Sequence, residues 1–282
     1  MTAATSGHAA SAPPGTAPVP LGKRVGRLMI AEWTKIRTVR STLWSLILLV
    51  VLDLGFTALF VGLTVGQWDK TDAGDRATIA ADPTSMILGS GFFLSQLTVC
   101  VLGVLVIASE YSTGMIRASL LAVPRRLPML WAKAAVFGLL MLVLGVVVSF
   151  ASFFIGAALM NDKVPVSLGD PGVLRAVVGG GLYLAMLGLF AMAIGAIVRH
   201  PAGGITGVIG FVLVLSPLAA LLPGSLGDHV HAYLPSEAGH LIAQAHQGKD
   251  DLLTPWQGYG VFAVWTVLLL ALAATLLKRR DA

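Results

Sequence analysis

The chain has 282 residues, of which 56% are hydrophobic and only 12% charged, with a formal net charge of +5. An ordinary soluble domain carries about 25% charged residues. Here the charges are missing from whole segments, which excludes the ordinary soluble classes and places the chain among membrane proteins. The basic balance follows from where the charges sit and is no sign of nucleic-acid affinity; no nucleic-acid partner is expected. The single cysteine, Cys100, lies in an apolar run. Alone it can make neither an intrachain disulfide nor a zinc site, and it reads as a small core hydrophobe.

Residues 1–22 consist of small and turn-forming residues without charge or an apolar block, and read as a disordered N-terminal tail. Residues 23–40 follow as KRVGRLMIAEWTKIRTVR. Val25, Met29, Trp33 and Ile36 recur at helical spacing, while Lys23, Arg24, Arg27, Lys35 and Arg37 fill much of the remaining surface. That pattern predicts a basic amphipathic helix lying in the membrane interface with Trp33 at headgroup depth. The first span is expected over 43–66, with Asp53 near its midpoint. One acid costs about 2.5–3.5 kcal/mol on an insertion scale, and the surrounding Leu, Ile, Val and Phe outweigh it. The second span is expected over 84–109 after a polar, acidic loop, and the third over 129–160, long enough to require tilt or projection beyond the bilayer. A turn-rich connection leads to the fourth span, 173–198, where Gly181, Ala185, Gly188 and Gly195 form a stripe suited to close helix approach. The fifth span, 202–222, is broken near its end by Pro217, and its Gly203/Gly207 GxxxG is a weak packing signal. A long polar stretch from 223 to 255 contains a short helical segment over 236–246, and the sixth span covers 256–277.

Fourteen of the nineteen Lys and Arg residues fall in the two termini, the loop after the second span and the Arg199 turn. The positive-inside rule therefore predicts both termini and that central loop to be cytoplasmic, and the 223–255 region to be outside. The central loop, Glu110 to Lys133, is the natural place for a soluble partner to push on the membrane domain, with Arg117, Arg125, Arg126 and Lys133 as its cations.

Signatures of chemistry are scarce. No GxxxxGK[ST], HExxH or GxSxG occurs, so neither a phosphate-cradling loop nor a zinc-protease or hydrolase site is indicated. Asp228, His229, His231, Glu237, His240 and His246 resemble a metal set, with Glu237 and His240 as one ExxH pair. Di-iron bundles need two such pairs and further glutamates, so no metal is expected and His229, His231 and His240 are read as solvated or interfacial histidines. Asp53 is the intramembrane polar candidate. An acid at that depth is a functional hypothesis by default; the structural alternative is a hydrogen bond to Ser or Thr of a neighbouring span.

Residues 32–45, EWTKIRTVRSTLWS, resemble the opening of bacterial ABC exporter permeases of the second type. The run SEYSTGMIRASLLAVPRRLPMLWAK is similar to the same family's segment between its second and third spans, the match falling on Glu110, Tyr111, Gly114, Ile116, Arg117, Pro124, Arg125, Arg126 and Lys133. The resemblance covers roughly residues 24–280. It implies an all-α, polytopic permease domain over 23–282 with six spans, an interfacial helix, a cytoplasmic coupling helix carrying those nine ATPase-coupling candidates, and a helical outer loop before the last span. It further implies a non-enzymatic half-transporter in the bacterial cell membrane that binds no cofactor itself. A separate ABC ATPase subunit would carry the ATP and Mg, and a second permease subunit, identical or related, would complete the transporter. Two rival readings are an ion-coupled secondary transporter using Asp53, and a membrane-embedded enzyme. Spans one to three share no motif with four to six, and no Lys, Arg or His lies in the interior of another span to pair with Asp53.

Overall fold

The computed structural model describes residues 21–115, 126–248 and 251–279, with the side chains of 21–25 and 126 also outside the description. Helix α1 (Leu21–Thr38) leads into α2 (Arg40–Gly66). A short 3-10 turn (Trp68–Lys70) and α3 (Ala73–Ala81) come next, then α4 (Pro83–Ser112). Helices α5 (Arg126–Met160) and α6 (Val173–Val198) are followed by a fifth span, Pro201–Ala220. That span is built from α7 (Pro201–Ile209), a π-type turn (Gly210–Val214) and α8 (Leu215–Ala220). Helices α9 (Gly224–Ala232) and α10 (Pro235–His240), a 3-10 turn (Leu241–Ala243) and α11 (Pro255–Arg279) complete the order. No strand occurs among the described residues. Six helices are long and apolar enough to cross a membrane, the pattern of a multi-pass membrane protein.

The local causes are readable. Helix α4 starts where Asp82 accepts a bond from Ser85 N at 3.0 Å and another from Ser85 Oγ at 2.6 Å, with Pro83 in the first turn, where a missing N–H costs nothing. The polar connection before it is not plain loop, since it holds the 3-10 turn and α3. Helix α5 has 35 residues, or roughly 52 Å at 1.5 Å each, well beyond a hydrocarbon core of about 30 Å. In the fifth span the ladder widens at Gly210–Val214 just before Pro217. A proline ring collides with the carbonyl four residues earlier, here Leu213 inside the π-type turn, and the wider turn relieves that clash.

Helix α6 is the hub. In its most apolar window 67% of residues are buried, against 22% for α2, and it packs chiefly against α4 and α5. Close approach depends on missing side chains. A Cβ built on Gly181 would lie 2.5 Å from Val146 N, and one on Gly103 would lie 2.6 Å from Gly188 O. The small-residue stripe therefore serves α5 at Gly181 and α4 at the Gly188–Gly103 crossing. In the fifth span the tight position is Gly204, whose Cβ would sit 2.7 Å from Val104 Cγ1, and not the GxxxG pair of Gly203 and Gly207.

Replacing Gly181 by Val should force α5 and α6 apart and cost about 1–3 kcal/mol or more. Gly55→Ala on α2, where a Cβ meets nothing within 4 Å, should be neutral or slightly stabilising. Thermal unfolding of the detergent-purified variants separates the two, and equal melting of both would show that the Gly181 crossing is not tightly packed.

Candidate functional site

Three elements meet at the end of the bundle formed by α1, the last turn of α4 and the first turns of α5. Helix α1 lies along α5. Ile36 is buried, while Met29, Ile30 and Trp33 border an apolar surface recess of about 400 Å³ with Val136, Leu139, Leu140 and Val143 of α5. This turns Glu32 of α1 inward. Lys133 Nζ pairs with Glu32 Oε2 at 2.5 Å and with Glu110 Oε1 at 2.9 Å, and Lys35 Nζ pairs with Glu32 Oε1 at 2.8 Å and Glu110 Oε1 at 2.9 Å. Two carboxylates and two ammonium groups thus alternate in a closed, net-neutral ring. Glu32, Glu110 and Lys133 are almost fully buried, and the Lys35 side chain is 31% exposed. Partial burial works against the charged form of Lys35, but its bonds to Glu32 and Glu110 outweigh this and hold its pKa above the ordinary lysine value.

The residues matched by the resemblance are divided by this geometry. Glu110 and Lys133 point into the bundle as members of the ring. Tyr111, in the last turn of α4, lies under the Arg199 guanidinium, 5.1 Å from the ring centroid. Gly114 has φ +70°, the left-handed region that favours glycine, two residues beyond the end of α4. Ile116, Arg117, Pro124 and Arg125, and with them the central part of the expected coupling helix, lie outside the described residues, as does the side chain of Arg126. Glu32 and Lys35 come from the other matched stretch, so the ring joins the two stretches that carry the resemblance. Glu32, the one acid of α1, was not singled out from the sequence.

Arg199 is a further functional candidate that the sequence presents only as part of a turn. It is the one non-glycine residue with positive φ (58°) among those described, at the C-terminal end of α6. Its side chain stacks on Tyr111 of α4 and donates from Nη2 to Leu276 O of α11 at 3.3 Å. A third span end is thereby fastened beside the ring.

Asp53 is fully buried in α2, accepting from Ser95 Oγ of α4 and Ser152 Oγ of α5, each at 2.5 Å. A Cβ on Gly91 would stand 2.8 Å from Asp53 Oδ1, so α4 comes as close to the acid as its backbone allows. This is an interhelical hydrogen-bond junction joining three spans.

At the opposite end, α10 and the following 3-10 turn cap the bundle. His240 makes edge contacts with Tyr183 and Phe92, at centroid separations of 5.8 and 6.3 Å. Burial among these rings lowers the His240 pKa below the ordinary histidine value, against a smaller upward pull from Glu237. Glu237 itself accepts from Ser216 Oγ at 2.5 Å and lies 3.9 Å from His231 Nε2. His229 Nδ1 bonds within its own helix to Ser225 O at 2.6 Å. The three histidines therefore have three different surroundings, and no group of three metal-ligating side chains occurs among the described residues.

Lys133→Met should leave two buried carboxylates facing Lys35 alone and destabilise the protein by about 3–5 kcal/mol. Lys35→Met, at the more exposed corner, should cost clearly less, and equal losses on thermal unfolding would mean the ring is not the buried unit its geometry indicates. For the cap the sign follows from linkage. A histidine whose folded pKa is depressed contributes stability that is complete above its unfolded pKa of about 6.5 and is lost as pH falls toward the folded value. Hydrogen exchange across residues 235–243 should therefore accelerate below about pH 6.5 in the wild type and much less in His240→Phe.

No protein-family model matches the sequence, and no curated protein matches it either.

Proposed function

We propose that this chain is the membrane-spanning permease subunit of an ABC transporter, acting as an exporter with ATP hydrolysis supplied by a separate subunit. The observation that carries the reading is the buried ring of Glu32, Lys133, Glu110 and Lys35. It binds α1 to the two helix ends that flank residues 116–125, the stretch that resembles the family's coupling segment. A displacement of that stretch reaches α4 and α5 directly, and the ring passes it to α1. Breaking one buried pair is expensive, so the three elements are favoured to move together.

In this reading the soluble ATPase seats against the 116–125 segment. Arg117, Arg125 and Arg126 supply charge for acids on that partner, or for anionic headgroups beside it. Closure of two ATPase subunits on ATP and Mg pushes the segment, and α4 and α5 tilt against the glycine-packed α6. The apolar faces uncovered on α2, α8 and α11, including Trp44, Leu48, Leu218 and Val267, are available to lipid and to a second permease subunit. The cell membrane of a bacterium, with both termini on the cytoplasmic side, is the setting this reading requires. Ion coupling through Asp53 gains nothing from the geometry, because both carboxylate oxygens are occupied by serine hydroxyls and the site joins helices.

The test is purification of the tagged, full-length chain in mild detergent from its native host. A soluble subunit with a GxxxxGK[ST] loop should co-purify near stoichiometry. Arg117→Glu should reduce its yield at least about tenfold, equivalent to about 1.4 kcal/mol of binding, without reducing membrane insertion. Unchanged co-purification and transport in that variant would remove the segment from the coupling role. Purification of the chain alone, with transport that survives ATP depletion and collapses in Asp53→Asn, would replace the ABC reading by an ion-coupled one.

A further inference from the structure

The apolar recess of about 400 Å³ between α1 and α5 lies apart from the charge ring. Its lining is hydrophobic, with Ile30 and Trp33 of α1 and Leu139 and Val143 of α5 each about half exposed or more. Helix length sets its depth. Met160, the last residue of α5, is buried with Val61 and Ile87, close to the far end of α2 and the start of α4. That marks one boundary of the hydrocarbon core. A thickness of about 30 Å, or roughly 20 residues at 1.5 Å each, leads back along α5 to about residue 140. The recess therefore straddles the other boundary, with Val143 at acyl-chain depth and Val136 at headgroup depth. The same count back from Gly66 along α2 ends beside Trp44, an exposed aromatic of the kind found at membrane boundaries.

Charge decides what fills the recess. The ion pairs of α1 are confined to the ring, and no carboxylate among the described residues pairs with Arg27 or Arg37. Both arginines are exposed. Arg27 stands one turn before Ile30 and Arg37 one turn after Trp33, so at helical spacing the two cations bracket the α1 side of the recess. A second copy of the chain docked face to face here would set these arginines against their own copies, and like charges repel. A zwitterionic lipid would fill the trough yet leave both cations without a net counter-charge. An anionic phospholipid meets both demands, with a hydrocarbon chain for the recess and a net negative headgroup for the arginines. We propose that the α1–α5 recess binds an anionic phospholipid, one acyl chain lying against Trp33 and Leu139 and the phosphate held by Arg27 and Arg37. The bound lipid presses α1 onto α5 beside the ring, so the pose that turns Glu32 inward depends on lipid as well as on charge. This inference concerns lipid binding alone and does not rest on what drives transport.

The experiment uses the full-length protein in nanodiscs made from equal parts phosphatidylglycerol, phosphatidylethanolamine and phosphatidylcholine, with retained lipid identified by native mass spectrometry. A basic side chain near anionic lipid favours binding roughly fivefold, so two should retain phosphatidylglycerol at least about tenfold over phosphatidylcholine. The double variant Arg27→Gln/Arg37→Gln should bring phosphatidylglycerol down to the level of phosphatidylcholine while leaving melting in lipid-free detergent unchanged. Leu139→Trp fills the recess and keeps every cation. It should lower phosphatidylglycerol retention several-fold, a result that general attraction to a basic surface does not give. A readout on the wild-type fold comes from phosphatidylglycerol with brominated chains. It should quench the part of the tryptophan fluorescence that is missing in Trp33→Phe, and brominated phosphatidylcholine should quench that part less. Equal retention of all three lipids by the wild type would overturn the proposal, as would a preference for phosphatidylglycerol that survives the double arginine variant. Unchanged retention in Leu139→Trp, or equal quenching by the two brominated lipids, would overturn the assignment to this recess.

Discussion

Everything at the α1 end of this protein depends on two carboxylates and two ammonium groups that are buried together. Glu32, Glu110 and Lys133 have given up nearly all contact with water, and each is tolerable only because an opposite charge lies within 2.9 Å. Such a cluster is poor evidence of net stabilisation, because desolvation cancels much of the attraction. Its consequence is geometric. The partners cannot be drawn apart singly, so α1, α4 and α5 share one position or exchange it for another as a set. A helix that began as a surface element is thereby made part of the bundle.

The ring gains mechanical meaning from what stands behind it. Helix α6 is packed on glycine, with the Gly181–Val146 and Gly103–Gly188 contacts leaving no room for even a methyl group. Interfaces of that kind slide or separate only with the loss of many contacts, and they hold a helix as a fixed post. The polar junction at Asp53 ties α2 to α4 and α5 further along the same helices. Helices α1, α4 and α5 are thus joined by charge at one end, and α2, α4 and α5 by hydrogen bonds at mid-length, around the tightly packed α6.

How much of this was legible depends on whether a property is one-dimensional. Six apolar runs are, because the bilayer imposes a length and a composition on each span separately. The charges of the 110–133 segment were legible, but the direction in which Glu110 and Lys133 point was not. Glu32 and Lys133 are 101 residues apart, and nothing local to either names the other. Asp53 was legible as an acid wanting a Ser or Thr on another span, yet choosing Ser95 and Ser152 from the available hydroxyls needs the helix packing. Arg199 read as one more cation of a turn; its left-handed backbone and its seat on Tyr111 exist only once α4, α6 and α11 end side by side. The helical content of the 67–83 connection was missed because its composition is polar, although Asp82-Pro83 followed by Ser85 is a helix-start signature in itself.

The two ends of the bundle solve the problem of buried polar groups in opposite ways, and that difference sets the conditions under which the molecule is intact. The base keeps full charges. Lys35, with its pKa raised in the folded state, contributes stability that is fully present below its ordinary pKa of about 10.4 and is lost only as pH rises through the raised value. The cap instead holds the His240 imidazole against aromatic rings, where desolvation favours the neutral form over a smaller upward pull from Glu237. Alkali therefore acts on the end that carries the ring through Lys35, and acid on the capped end through His240.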